Sequence, residues 1–262
     1  MTEFMISFFV SFFQNPSAWG IGLAIAFGAI WLAGYRPPLF KEPWLWAVLV
    51  SSAILALAAV AFIQIPLQIW AGQALNHLWS EEVLLSWILL AGIPQILLSG
   101  LVQEGSKLVP VVICWWRSGK NIDPRLGLAI GAVAGAGFGI FEAQYVHNTI
   151  FASGWTWETV QTGGFMALGG FWERFFTVAF HTGASALAGY GLAKGWGWQF
   201  YLIASCLHGL LNYSVILFQS GLFTVVHVEI YAAVVAVLVT AWALWLRWRS
   251  PAATAEIWES SG

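Results

Sequence analysis

Long apolar segments recur along the whole chain and limit its possible folds more than any other feature. Hydrophobic residues make up 60% of the 262 residues and charged residues only 8%, whereas about a quarter of the residues in a soluble domain are charged. A helix needs about 20 apolar residues to cross a bilayer. The sequence therefore excludes a single water-soluble globule. It predicts an all-α, polytopic bundle of transmembrane helices with about seven spans.

The predicted spans are residues 17–35, 44–70, 83–116, 126–150, 164–192, 199–218 and 229–248. The third would be roughly 50 Å long, so we expect one tilted helix, kinked near Pro94 or Pro110. Residues 1–13 predict a short interfacial helix or an extension of the first span. Residues 1–249 should form a single transmembrane domain, and residues 250–262 a flexible cytoplasmic tail.

Basic residues outside the spans lie at alternate span ends. They follow the first, third and fifth spans and end the seventh, at Arg36, Lys41, Arg117, Lys120, Arg125, Lys194, Arg247 and Arg249. Cytoplasmic loops carry the excess of Lys and Arg. The pattern predicts an integral protein of a prokaryotic plasma membrane, with the N-terminus outside and the C-terminus in the cytoplasm. The net charge of −2 argues against a nucleic-acid partner.

Charged side chains within the predicted spans are the second informative feature. Each costs roughly 2.5–3.5 kcal/mol near the bilayer centre when uncompensated, so they must face inward. Four spans contribute to a set of inward-facing charged and polar residues, most of which lie near mid-membrane. This set contains Glu104, Lys107, Glu142, Glu173, Arg174, His181, His208 and Asn212.

The residues alone leave two explanations open. In the first, Glu104 pairs with Lys107 and Glu142 pairs with Arg174, and the histidines are ordinary core residues. In the second, the surplus negative charge beside two imidazoles suits a divalent cation, or a buried carboxylate that acts as a base.

A stripe of glycines at intervals of four residues marks one face of the fourth span, at Gly127, Gly131, Gly135 and Gly139. Small residues let helix backbones approach closely. We expect this packing to bring the neighbouring Glu142 against another helix.

The order of the polar motifs resembles the PrsW/YhfC group of intramembrane peptidases. That group has EExxK/R, FxxxE and a His on each of two later helices, and its wider clan includes the CAAX proteases and a non-catalytic scaffold subunit of γ-secretase. The matching motifs are Gln103-Glu104-Gly105-Ser106-Lys107, Phe138-Gly139-Ile140-Phe141-Glu142, Glu173-Arg174 with His181, and His208-Gly209-Leu210-Leu211-Asn212. The resemblance covers residues 100–212. Gln103 departs from the pattern, so this chain either is impaired or uses Glu104 alone.

The resemblance implies a peptidase that hydrolyses membrane-embedded or lipid-linked peptide substrates with an activated water. Glu104 is then the base, His181 and His208 hold the water directly or through Zn²⁺, and Asn212 donates to the oxyanion. Glu142 would complete a zinc ligand set with the two histidines.

The remaining charged residues have supporting roles in this hypothesis. Arg174 orients a carboxylate, Lys107 balances Glu104, and Glu173, which we expect to point elsewhere, anchors a neighbouring group.

Two other functions stay open at this stage. A non-catalytic scaffold could keep the polar cluster for structure, and Gln103 favours it. A proton-coupled transporter could use Glu and His as relays, although the sequence has no inverted repeat to support it.

Overall fold

The computed structural model describes residues 2–250, which form helices and turns without a strand among them. The helices are α1 Thr2–Ser11, α2 Ala18–Tyr35, α3 Trp44–Ala59, α4 Ile65–Leu78, α5 Glu81–Ser86, α6 Ile88–Ala91, α7 Ile93–Arg117, α8 Pro124–Ala152, α9 Trp157–Gly163, α10 Gly169–Ala193, α11 Gly197–Gln219 and α12 Val225–Arg249. A π-helical turn, Val60–Gln64, joins α3 to α4, and a 3-10 helix, Gly164–Leu168, precedes α10. The predicted tail lies outside the described residues, apart from Ser250.

Six segments are long and apolar enough to cross a membrane, namely α2, α3 with α4, α6 with α7, α8, α11 and α12. Helix α10 has 25 residues but is less apolar, and its middle is buried among its neighbours. These helices confirm the predicted all-α transmembrane class with about seven spans. The short helix α1 matches the predicted short N-terminal helix.

The third predicted span differs from the expectation. The chain forms α5, α6 and α7 in succession, interrupted at Trp87 and Gly92, so one continuous helix is wrong for residues 83–92. Pro94 is the second residue of α7, where its missing N–H breaks no helical hydrogen bond. The proline therefore marks a helix start instead of a kink.

Helices α8 and α10 form the centre of the bundle, because glycine lets their backbones meet. A Cβ on Gly131 would lie 2.1 Å from the Ser185 carbonyl oxygen, and one on Gly135 would lie 2.0 Å from that of His181. The predicted packing role of the glycine stripe is confirmed. Helices α2, α3 and α7 also pack on α8, and α11 and α12 pack on α10.

Candidate active site

Three helices bring four charged or polar side chains together in the interior of the bundle. Glu104 and Lys107 lie one turn apart on α7, His181 lies on α10 and His208 lies on α11. The Lys107 Nζ is 2.5 Å from Glu104 Oε1, and His208 Nδ1 is 2.7 Å from the same oxygen. Glu104 has no exposed surface. We call these four residues the inner cluster.

The hydrogen bonds of His181 define its tautomer. Its Nδ1 lies 3.0 Å from Lys107 Nζ, and an ammonium can only donate, so Nδ1 accepts. The proton is then on Nε2, which lies 3.1 Å from Glu142 Oε2 and donates to that carboxylate. The structure thus presents His181 as a neutral imidazole held from both sides.

A second group of charges lies beyond His181 on α8 and α10. Arg174 Nη1 is 3.1 Å from Glu142 Oε2, and Arg174 also pairs with Glu173. The side chains of Glu142 and Glu173 are 27% and 35% exposed. We call Glu142, Glu173 and Arg174 the outer cluster. Glu173 was predicted to point elsewhere, but its carboxylate pairs with Arg174. The two residues are adjacent in sequence, and their long side chains bend toward each other.

The two clusters are connected. Both ion pairs of the first sequence-based explanation are present, but His181 contacts a member of each pair. The resulting chain of contacts runs through Arg174, Glu142, His181, Lys107, Glu104 and His208. Two independent structural ion pairs would not need an imidazole between them.

A metal ion fits the inner cluster by donor chemistry. Glu104, His181 and His208 each offer one ligand atom, and these atoms lie within 4.8 Å of one another. One carboxylate and two imidazoles is a donor set used by catalytic zinc sites. The predicted set of His181, His208 and Glu142 differs in its third member. Arg174 holds Glu142 on the other side of His181, so Glu104 lies with both imidazoles instead.

Asn212, predicted to donate to the oxyanion, and Gln103, which departs from the family motif, lie beside the inner cluster. Asn212 Nδ2 donates to Ser99 Oγ at 2.9 Å, and Gln103 Nε2 donates to Gln64 Oε1 at 3.0 Å. The departure at Gln103 therefore lies outside the hydrogen-bonded contacts that join Glu104 to the two histidines.

Sequence reasoning missed two polar residues. The buried Ser185 places its Oγ 3.4 Å from Glu104 Oε2, and its position one turn after His181 on α10 was an available signal. Gln64 is buried against α7. Only its polar character within an apolar segment could have identified it.

The chain was compared with known proteins at the level of families, curated proteins and structures. The model of the PrsW family intramembrane metalloprotease matches residues 41–242, which is 202 of the 262 residues. No curated protein and no solved structure matches the chain. The matched range extends beyond residues 100–212 on both sides and contains both clusters. The chain therefore belongs to the PrsW family of intramembrane metalloproteases.

Proposed function

We propose that this protein hydrolyses peptide bonds of membrane-embedded or lipid-linked substrates with a water activated in the inner cluster. The observation that carries the proposal is the Glu104 carboxylate, which is fully buried and bonded to both Lys107 and His208. A charged carboxylate is costly in a bilayer, and such residues mark functional sites. The bilayer itself and a membrane-bound peptide are the partners that this chemistry requires.

The residues of the inner cluster can carry each proton of the reaction. Glu104 takes one proton from water while the water oxygen bonds to the carbonyl carbon. The C–N bond then breaks, and the same proton passes to the leaving nitrogen. The Lys107 ammonium balances the negative charge of Glu104 before the proton arrives, and His208 donates a hydrogen bond to the same carboxylate.

Asn212 is suited to stabilise the oxyanion. It lies one turn after His208 on α11, so both side chains share a helix face. A side-chain amide has two N–H donors. The bond to Ser99 uses one and fixes the orientation of the amide, which leaves the other for the developing charge.

In a metal-bound form, a zinc ion would be held by Glu104, His181 and His208, and Glu104 would then serve as a ligand instead of the proton acceptor. Such an ion makes a bound water more acidic and polarises a carbonyl group. Lys107 contacts Glu104 and His181, so its ammonium would compete with a metal ion for these two groups. Glu142 would act on the ion indirectly, since a ligating imidazole commonly donates its other N–H to a carboxylate.

Metal content tests this assignment. Purified wild-type protein should contain about one equivalent of zinc by mass spectrometry, because three ligands converge. His181→Ala should lose most of it. His77→Ala removes an exposed histidine of α4 and should keep it. Equal content in all three proteins, or none in the wild type, would reject the zinc site.

Cleavage tests the function itself. Wild-type protein in vesicles should cut a single-span reporter peptide, and His208→Ala should be at least 100-fold slower, whereas His77→Ala should match the wild type. The 100-fold loss is the lower end of the range expected for acid–base groups. A folded wild-type protein that cuts no reporter would favour the scaffold alternative.

The orientation proposed from the basic residues can be tested separately. Single cysteines near Lys41, Lys120 and Lys194 should be protected from an impermeant reagent in intact cells. Cysteines near His77, Trp157 and His227 should be labelled. Labelling of the Lys120 loop from outside would contradict the orientation.

A further inference from the structure

A row of polar residues runs along α7 toward the inner cluster. Gln95, Ser99, Gln103 and Lys107 follow one another at intervals of four residues, so they share one helix face. Over 12 residues the row is about 18 Å long at 1.5 Å per residue. A row of this length passes through half of a hydrocarbon core of about 30 Å.

Amide side chains of the opposite helix face this row. Gln68 Nε2 donates to the Gln95 carbonyl oxygen at 2.8 Å, and Gln95 Nε2 donates to the Gln68 carbonyl oxygen at 2.9 Å. Gln64 links Gln68 to Gln103 at 3.3 and 3.0 Å. The seam between α4 and α7 is thus closed by neutral amide hydrogen bonds. We call Gln64, Gln68, Gln95 and Gln103 the amide track.

The π-helical turn explains how Gln64 reaches α7. The amide N–H of Ile65 donates to the Val60 carbonyl oxygen, one residue further back than in an α-helix. Pro66 follows directly. It has no N–H to donate, and in an α-helix its ring would clash with the carbonyl group four residues earlier. The wider turn directs Gln64 into the bundle, and single π-turns often occur at functional sites.

One acceptor of the track is unused. The Oε1 atom of Gln103 is buried and has no hydrogen-bond partner in the described structure, and the residue is only 7% exposed. Such a group costs about 1–3 kcal/mol. Gln103 directly precedes Glu104 on α7, and its free oxygen can accept a hydrogen bond from a peptide N–H.

A groove between the end of α3 with the π-helical turn and α7 opens to the outer surface of the bundle. It has a volume of about 620 Å³ and is lined by Ala59 and Ile63 on one side and Val102 and Ser106 on the other. Ile63 is exposed, so the groove faces lipid. A membrane peptide could approach the amide track from here without leaving the bilayer.

A transmembrane substrate must unwind before its peptide bond can be attacked. Unwinding frees N–H and C=O groups, each costing several kcal/mol in lipid when unsatisfied. Glutamine amides offer both donors and acceptors, and each existing bond contributes only about 0.5–1.5 kcal/mol. The amides can therefore exchange their mutual bonds for bonds to a peptide.

We propose that the amide track binds the unwound backbone of the substrate, which enters through the groove between the π-helical turn and α7. This inference rests on the proposed peptidase function. The α8–α10 wall cannot serve as the entrance, because its backbones are in contact at Gly131 and Gly135. The track is a binding subsite and takes no part in proton transfer.

The test measures binding, so that it does not depend on turnover. Protein carrying Glu104→Gln is placed in phosphatidylcholine vesicles with a dye-labelled single-span peptide, and binding is titrated by energy transfer. Two reporters differ only at their centre, with Gly-Gly or Ala-Ala. Because each Gly lowers helix stability by about 1 kcal/mol, the Gly-Gly reporter unwinds more easily. It should bind about tenfold tighter.

Gln64→Leu should remove this tenfold preference, because the unwound backbone then lacks partners. Gln73→Leu, a change at an exposed residue of α4, should keep it. If Gln64→Leu and Gln73→Leu show the same preference for the Gly-Gly reporter, the amide track is not a subsite. The same conclusion follows if protein with only the Glu104→Gln change shows no preference. If the Gly-Gly reporter binds more tightly but wild-type protein cleaves neither reporter, only the proposed peptidase function is rejected. If wild-type protein cuts the reporters but the two reporters bind equally well, the peptidase function stands and the amide track is rejected as a subsite.

Discussion

The two charged clusters differ in exposure and in charge balance. In the inner cluster one ammonium balances one carboxylate, and Glu104 and Lys107 have no exposed surface. In the outer cluster one guanidinium lies between two carboxylates that are about a third exposed. Charge interactions are stronger where water is excluded. The inner cluster therefore suits chemistry, whereas the outer cluster suits orientation of His181.

Glu104 and Glu142 both lie in apolar helices near basic residues, and the sequence predicted Glu104 as the base and Glu142 as a metal ligand. Their neighbours decide the difference. Glu104 meets His208 and Lys107, while Glu142 meets Arg174 and the far nitrogen of His181.

After Glu104 itself, the largest effect is expected from the histidines of the inner cluster. His181→Ala and His208→Ala should each lower cleavage by about 1,000-fold, within the range of acid–base groups. The double variant should be little worse than either one, because residues of one catalytic unit are not additive. Rates are measured with the vesicle reporter. Additive losses would show that the two histidines act separately.

A smaller loss is expected at the outer cluster. Glu142→Gln should slow cleavage about 10- to 100-fold, as for other carboxylates that orient a ligating imidazole. Its kcat should fall more than its KM changes. A loss as large as that of the histidine variants would move Glu142 into the chemical centre and erase the difference between the clusters.

The frame that holds the inner cluster can be tested at the glycine stripe. Gly131→Ala should lower the thermal midpoint in detergent, because the methyl group would meet the Ser185 carbonyl oxygen, and overpacking costs about 1–3 kcal/mol. Gly22→Ala is the matched control, since no atom lies within 4 Å of its added Cβ. Equal midpoints for both variants would contradict the close α8–α10 packing.

The smallest effect is expected at Glu173. Glu173→Gln should change cleavage less than threefold, because Arg174 keeps its bond to Glu142. Its partly exposed ion pair should contribute up to about 1 kcal/mol, visible as a small fall of the thermal midpoint. A tenfold loss of cleavage would assign Glu173 a direct role.

The sequence predicted the spans well because their apolar lengths are set by the bilayer. The break at Trp87 and Gly92 was not predictable from hydropathy, since the residues on both sides are equally apolar. Pro94 carried a signal, but a proline is compatible with a kink or with a helix start. The structure distinguishes them, because α7 begins at Ile93.

The candidate site was predicted as a set of residues but without its pairings. Intervals along one helix identify shared faces, as for Glu104 with Lys107. They do not identify which face of α8 meets which face of α10. The third candidate ligand was therefore assigned to Glu142 instead of Glu104, and Gln64 was missed because its direction depends on the π-helical turn.

The most direct test of the account is cleavage by Glu104→Gln. This change keeps the shape of the side chain and removes its basicity. We expect a loss of at least 1,000-fold with a thermal midpoint close to that of Glu82→Gln, a change at an exposed residue that should cleave like the wild type. Cleavage by Glu104→Gln at the wild-type rate would contradict the assignment of the inner cluster as the catalytic centre.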